Sequence, residues 1–212
     1  MKILLILAGN PPDLELLESE MTASDLVVAV DGGSNVLSEY KLDPDLIIGD
    51  LDSINFTPGK QIDVIKISDQ NLTDLQKAFQ YLEQQFNPSH INILGGMGGR
   101  VDHTVSNLHI SALVNPQISI TFMNSIETSE TFRREIVHRI VAPYDNDLPV
   151  TKGSTVSVFT VSRFSELRSK GLSWDLDNVS SKDVFGSQSN ISEVNDPRFS
   201  LKSGCVYIAV YQ

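Results

Sequence analysis

Ile91-Asn92-Ile93-Leu94-Gly95-Gly96-Met97-Gly98-Gly99-Arg100-Val101-Asp102-His103 is the stretch on which the reading of this chain turns. Apolar residues run into four glycines within five positions, and Arg100, Asp102 and His103 follow. Val101, Val105, Leu108 and Ala112 then recur at helical spacing. The pattern predicts a strand, a loop that exposes its backbone, and a charged helix start. A loop without Cβ atoms lets main-chain N–H groups approach an anion closely. It is not a Walker loop, because no G-x-x-x-x-G-K-[ST] occurs in the chain. It is not the dinucleotide fingerprint either, because Val101 stands where the last glycine of G-x-G-x-x-G belongs.

Outward from this stretch, short apolar runs alternate with amphipathic segments. Ile3–Leu7, Leu26–Val30, Leu46–Ile48, Val64–Ile67, Ile91–Leu94 and Ile118–Phe122 read as strands. Their apolar residues are continuous, as in parallel sheets covered on both faces. Asp13–Met21, Ser34–Tyr40, Asp74–Phe86 and Val101–Leu113 read as helices, with Thr73 as an N-cap for the third. The expectation for residues 1–125 is a doubly wound, mostly parallel α/β nucleotide domain. After about residue 125 the helical signals stop. Val137–Val141, Thr155–Val161 and Cys205–Tyr211 alternate as strands, and Ser203-Gly204 marks a turn. Residues 126–212 are therefore expected to form a β-sandwich-like domain, with the junction within Thr121–Glu130.

Bulk properties narrow the function. The 212 residues carry a formal net charge of -11, so a nucleic-acid partner is not expected. A polyanionic ligand would need local cations or a metal. The single cysteine, Cys205, allows no internal disulfide. No apolar run approaches the ~20 residues of a membrane span. Met1–Leu7 leads into Gly9-Asn10-Pro11-Pro12 rather than a cleavage site, and reads as a first strand. A cytoplasmic protein without a membrane partner is expected.

The acids of the first half follow strand ends. Asp31 follows one strand, Asp50 and Asp52 another, Asp74 opens a helix, and Asp102 follows the glycine loop. Ligands of open α/β sheets bind at that edge. In an extended segment, residues two apart project to one side, so Asp50 and Asp52 can face one cation while Leu51 points inward. Clustered carboxylates need a counter-charge, and Mg²⁺ suits hard oxygen ligands. Arg100 offers a planar fork for phosphate oxygens. His103 either hydrogen-bonds a neighbouring carboxylate or caps the helix. No second His at metal-ligand spacing suggests zinc, and no G-x-S-x-G elbow suggests a hydrolase. Trp174, the only tryptophan, reads either as a core or interface aromatic or as a stacking surface for a planar ligand.

At these residues the chain resembles the thiamine pyrophosphokinase (thiamine diphosphokinase) family. Asp31-Gly32-Gly33-Ser34-Asn35 resembles D-G-G-[AS]-N, and Pro44 through Gly49-Asp50-Leu51-Asp52-Ser53 resembles P-x-x-I-I-G-D-L-D-S. Thr73-Asp74 with Lys77-Ala78 is similar to T-D-x-x-K-A. Gly95 through His103, with Asn107-Leu108, is similar to G-x-x-G-G-R-x-D-H-x-x-x-N-L. Gly171-Leu172-Ser173-Trp174-Asp175-Leu176 and Ser187-Gln188-Ser189-Asn190 resemble two later blocks. Asn71 departs from an often acidic position, and 127–152 matches no motif.

The resemblance implies transfer of diphosphate from ATP to thiamine, with AMP as the other product. It implies a homodimer with active sites between subunits. Asp50, Asp52 and Asp74, with Asp31 supporting, are expected to hold Mg²⁺. ATP and its phosphates are expected at Asp31, Gly32, Gly33, Asn35, Gly96, Gly98, Gly99, Arg100, His103 and Asn107. Asp102 is expected either to orient Arg100 or to reach the metal. Thiamine is expected at Trp174, Ser187, Ser189 and Asn190. The competing readings are another diphosphokinase of this fold, acting for instance on a hydroxymethylpterin, and a non-catalytic nucleotide-binding protein.

Overall fold

The structure, a computed structural model, describes residues 1–129, 132–181 and 187–212. Glu130, the end of the expected junction, lies outside the described residues. The chain divides into two compact units, the first made of Met1–Ile110 and Gln117–Ser125, the second of Ser111–Pro116 and Ile126–Gln212.

In the first unit the strands β1 (Lys2–Ile6), β2 (Leu26–Val30), β3 (Leu46–Gly49), β4 (Asp63–Lys66), β5 (His90–Leu94) and β6 (Ser119–Glu127) pair in parallel. Their order is β6-β5-β1-β2-β3-β4. The helices are α1 (Leu14–Thr22), α2 (Gly33–Tyr40), α3 (Asp74–Gln85) and α4 (Val101–Ala112). Ile3, Leu4, Leu5 and Ile6 are all fully buried, which is why β1 is apolar at each position after Lys2. Leu4 and Ile6 pack with Leu16 and Leu17 of α1, Leu37 of α2 and Ile47 of β3. Each such side chain contributes about 1.5–3 kcal/mol of burial. Successive strands run outward from β1 through β2 to β4 in one direction, while β5 and β6 lie on the other side. The order reverses between β1 and β5, and a reversal of this kind opens a ligand crevice at the carboxyl ends of the strands.

In the second unit β7 (Phe132–Val141), β8 (Tyr144–Asp147), β9 (Thr155–Phe159), β10 (Phe164–Ser165), β11 (Arg168–Lys170), β12 (Ser187–Ile191), β13 (Arg198–Leu201) and β14 (Ser203–Tyr211) are antiparallel wherever they pair. The order β12-β9-β14-β7 forms one set, with β10 on β14, and β11-β13-β8 forms a separate sheet. Val156, Val158, Val206, Ile208 and Val210 share a core with Phe199 and Leu201 of the smaller sheet. Ser111–Pro116 join this unit through Arg139, whose guanidinium donates to the carbonyls of Ser111, Val114 and Asn115 at 2.6, 2.9 and 3.0 Å.

Two local expectations change. Ser203-Gly204 is not a turn between elements but the start of β14, where Gly204 has φ 88 and pairs with Phe164. β9 stops at Phe159 rather than Val161. Among the described residues, no helix is long and apolar enough to cross a membrane.

Candidate active site

The loops that follow β5, β1, β2 and β3 interlock along one edge of the first unit. The Leu7 N–H donates to the Leu94 carbonyl at 2.9 Å, Gly9 to Gly95 at 2.9 Å and Asn10 to Met97 at 3.3 Å. The loop after β1 is thereby laced onto the glycine-rich loop. A Cβ on Gly95 would lie 2.1 Å from the Leu7 carbonyl oxygen, and one on Gly98 2.3 Å from Asn10 Nδ2. Gly95, Gly98 and Gly99 have φ of 66, 78 and 64. The glycines at 95 and 98 are required by neighbouring chain and by left-handed backbone, whatever anion the loop holds. Gly96 is excluded from carrying a Cβ by Ile93 and Phe122, and Gly33 by the Ile6 carbonyl oxygen at 2.0 Å. Of the four glycines of the loop, only Gly99 faces open space, with Asn10 Oδ1 3.7 Å from an added Cβ.

Two of the expected ligand contacts are braces. Asn107 donates to the Gly96 carbonyl at 2.8 Å, fixing the loop against α4. Asn35 donates to the Ser53 carbonyl at 2.8 Å and accepts the Asn55 N–H at 3.1 Å, fixing the loop that carries Asp50 and Asp52. Gly32 is the N-cap of α2, and its Cβ would touch those of Ala8 and Ser53 at 3.2 and 3.5 Å.

Ligand oxygens of Asp31, Asp50 and Asp74 lie within 4.8 Å of one another. Asp31 follows β2 in the left-handed region, with φ 45, and its N–H donates to the Ile48 carbonyl at 2.8 Å. It is only 7% exposed, and its Oδ1 has no hydrogen-bond partner. A buried carboxylate oxygen without a donor is costly unless a cation completes it. Asp74 is the first residue of α3, behind a capping box in which Thr73 Oγ1 accepts from the Gln76 N–H and Gln76 Oε1 accepts from the Thr73 N–H. Three carboxylate donors of hard oxygen fit a small divalent cation such as Mg²⁺.

Asp52 stands apart from this cluster. Extended backbone would project Asp50 and Asp52 to one side, but Leu51 has φ 69 and the chain turns there. Asp52 Oδ1 instead accepts the Ser53 hydroxyl at 2.9 Å. Leu51 does pack on the core of the first unit.

Lys77 belongs to the block that resembles T-D-x-x-K-A. It is 2% exposed, and its Nζ lies 2.9 Å from Asp74 Oδ1 and 3.5 Å from Asp50 Oδ2. Gln70 Nε2 donates to the same Asp50 oxygen at 3.2 Å. Burial alone would raise the Asp50 carboxyl. The donors Gln70 and the Asp52 N–H, together with the Lys77 charge, outweigh it and hold the pKa below 3.8. Burial opposes the Lys77 charge, but Asp74 and then Asp50 hold its pKa above 10.5. The spacing of Asp74 and Lys77, one helical turn apart, was the signal that would have found this pair.

Arg100 and Asp102 meet through two hydrogen bonds, Nε to Oδ1 at 3.1 Å and Nη2 to Oδ2 at 2.5 Å. Both are exposed. The bond lifts the Arg100 pKa and lowers that of Asp102. Of the two roles open to Asp102, the structure shows contact with Arg100. His103 lies exposed in the first turn of α4.

In the second unit Trp174 is 68% exposed, so it is not a core aromatic. Asn190 is 2% exposed, and its Nδ2 donates to the Trp174 carbonyl at 2.8 Å while Oδ1 accepts the Trp174 N–H at 3.2 Å. Asn190 therefore shapes the Trp174 loop. Ser189 has φ 57 and its N–H donates to Ser157 Oγ at 3.0 Å. A cavity of about 580 Å³ beside it is lined by Ser157, Phe159, Gln188, Ser189 and Tyr211 among others. Ser187 lies before a register shift in β12.

Comparison with known proteins agrees with these motifs. The family pattern described as the thiamin pyrophosphokinase catalytic domain matches residues 17–122. Thiamin pyrophosphokinase 1 of Caenorhabditis elegans is 33% identical over 195 residues, covering 83% of this chain and 74% of that protein. Thiamine pyrophosphokinase 1 of Oryza sativa subsp. japonica is 28% identical over 222 residues, covering 86% and 77%. The structure of thiamin pyrophosphokinase from Candida albicans superposes with a TM-score of 0.79 at 20% identity, over 99% of this chain and 89% of that one, which establishes likeness of fold.

Proposed function

The chain belongs to the thiamin pyrophosphokinase family, and from that premise we propose that its first unit binds Mg²⁺ and ATP and its second unit binds thiamine. As an enzyme of this family it is a thiamine diphosphokinase. The observation that carries the site assignment is the cluster of Asp31, Asp50 and Asp74, in which a buried Asp31 oxygen has no donor. We take the first unit, about 1–125, as a doubly wound nucleotide domain and the second as a β-sandwich.

The reaction joins the hydroxyl oxygen of thiamine to the β-phosphorus of ATP. The bond from that phosphorus to the bridging oxygen of the α-phosphate breaks, AMP departs with the electron pair, and the hydroxyl proton is released. Asp31, Asp50 and Asp74 would hold Mg²⁺, which supplies positive charge against the polyphosphate. Asp52, outside the cluster, would help hold the same cation once nucleotide is bound. Arg100 is assigned to the transferred phosphoryl oxygens, with Asp102 fixing the plane of its fork. Gly99, the glycine of this loop whose Cβ position is open, is assigned to phosphate through its N–H in preference to Gly96 and Gly98. Trp174 offers a face on which a cationic aromatic ring stacks, and Ser187 and Ser189 supply hydroxyls. A homodimer is part of the proposal. Val101 and Val105, exposed and one turn apart on α4, give apolar surface that a second copy would cover. A cytoplasmic location is proposed with it.

The test is incubation with ATP, Mg²⁺ and thiamine. AMP and thiamine diphosphate should appear in equal amounts. Accumulation of ADP would reject diphosphate transfer.

A further inference from the structure

Each of the two partly exposed acids in the cluster has one oxygen engaged and one less committed. Asp50 Oδ2 takes both Lys77 Nζ at 3.5 Å and Gln70 Nε2 at 3.2 Å, whereas Asp50 Oδ1 has only a 3.5 Å contact with the Asp52 N–H. Asp74 Oδ1 takes Lys77 Nζ at 2.9 Å, and Asp74 Oδ2 has no partner among the described residues. Lys77 is nearly inaccessible, so its ammonium cannot swing into water, and its donors are committed to these two carboxylates.

We propose that Lys77 is a positioning residue that sets metal selectivity, by tying one oxygen of Asp50 and one of Asp74 so that each offers the metal a single oxygen. The proposal rests on the Mg²⁺ reading of the Asp31–Asp50–Asp74 cluster. Mg²⁺ accepts one oxygen from each of a few carboxylates and keeps several waters in octahedral geometry. Ca²⁺ takes more oxygens and favours carboxylates that bind through both. A site whose carboxylates are each half occupied by an ammonium therefore favours the smaller ion.

The charge of Lys77 also repels any divalent cation, and that complicates a simple affinity measurement. Mg²⁺ and Ca²⁺ carry the same charge, so loss of the repulsion strengthens both alike. The ratio of their affinities isolates the effect of the freed oxygens. Disordering of the site would likewise weaken both ions rather than change their ratio in favour of Ca²⁺.

The experiment follows bound Mn²⁺ by the loss of its free-ion electron paramagnetic resonance signal, and then displaces it with Mg²⁺ or with Ca²⁺. In Lys77→Gln, with folding checked by circular dichroism, the Ca²⁺ concentration needed should fall about tenfold relative to that of Mg²⁺. An unchanged ratio in a folded variant overturns the proposal. Should Lys77→Gln not fold, a crystal structure of the wild-type protein with Mn²⁺ decides. Contact through Asp50 Oδ1 and Asp74 Oδ2 alone supports the proposal, and two-oxygen contact by either acid overturns it. Wild-type protein that holds no Mn²⁺ overturns the metal reading together with the proposal. Wild-type binding with an unmoved ratio overturns the proposal alone.

Discussion

Asn190 grips Trp174 by both faces of one peptide position, its amide nitrogen donating to the Trp174 carbonyl at 2.8 Å and its amide oxygen accepting the Trp174 N–H at 3.2 Å. A residue on β12 thus fixes the main chain beneath an indole that stands 68% exposed. An exposed tryptophan loses rotational freedom when it binds a ring, and a fixed backbone lowers that cost.

The pair should therefore act as a unit on thiamine. Trp174→Ala should raise the thiamine KM by about tenfold or more, with the ATP KM little changed. Asn190→Ala should raise it in the same direction, and the double variant should raise it, relative to wild type, by less than the product of the two single effects. Steady-state kinetics on the three variants measure this. Independent effects would separate the two residues.

The acids should divide by their place in the cluster. Asp50→Asn should weaken Mn²⁺ binding to the free protein and lower turnover by about 100-fold or more. Asp52→Asn should lower turnover while leaving Mn²⁺ binding to the free protein close to wild type, because its carboxylate lies outside the cluster. Paramagnetic titration of both variants checks the split. Equal loss of Mn²⁺ affinity would put Asp52 in the metal site before nucleotide binds.

The glycines should rank by what surrounds them. Gly98→Ala places a Cβ 2.3 Å from Asn10 Nδ2 at φ 78 and should destabilise the first unit by about 2–4 kcal/mol. Gly99→Ala, at φ 64 with open space, should cost only about 1–2 kcal/mol. Urea denaturation of both variants gives the comparison. A larger cost at Gly99 would contradict the packing described for the loop.

His138 introduces a pH dependence. It lies between Ile136 and Ile140 on β7, and burial drives its pKa down from 6.5 to about 4. The unfolded chain binds the proton below 6.5 while the native chain does not, so stability falls as pH drops from 6.5 toward 4. The loss reaches about 3 kcal/mol at the lower end. His138→Phe should flatten this part of the pH profile of the denaturation midpoint. An unchanged slope would assign it to other groups.

Much of the first unit was legible because local pattern and global position agree there. β1, β2 and β3 are apolar runs buried along almost their whole length, and such runs signal burial on both faces whatever their partners, whereas β4, Asp-Val-Ile-Lys at the sheet edge, is mostly exposed. The second unit was less legible. Tyr-Asp-Asn-Asp at β8, Arg-Ser-Lys at β11 and Ser-Gln-Ser-Asn at β12 are short and polar. Pairing with distant segments makes them strands, and pairing leaves no mark in their own composition. At the site, the residue types were legible and their contacts were not. Asn10, which blocks any Cβ at Gly98, is 88 positions away from it in the chain. The turn at Leu51, which parts Asp52 from Asp50, is a backbone state that leucine rarely adopts, and only the folded loop reveals it.

The central claim is diphosphate transfer from ATP at the Asp31–Asp50–Asp74 cluster. ATP labelled at the β-phosphorus tests it most directly, followed through the reaction with thiamine and Mg²⁺ for the wild type and for folded Asp50→Asn. The wild type should place the label in thiamine diphosphate and release unlabelled AMP, and Asp50→Asn should leave it in ATP. Label appearing in ADP, or undiminished transfer by Asp50→Asn, would contradict the account.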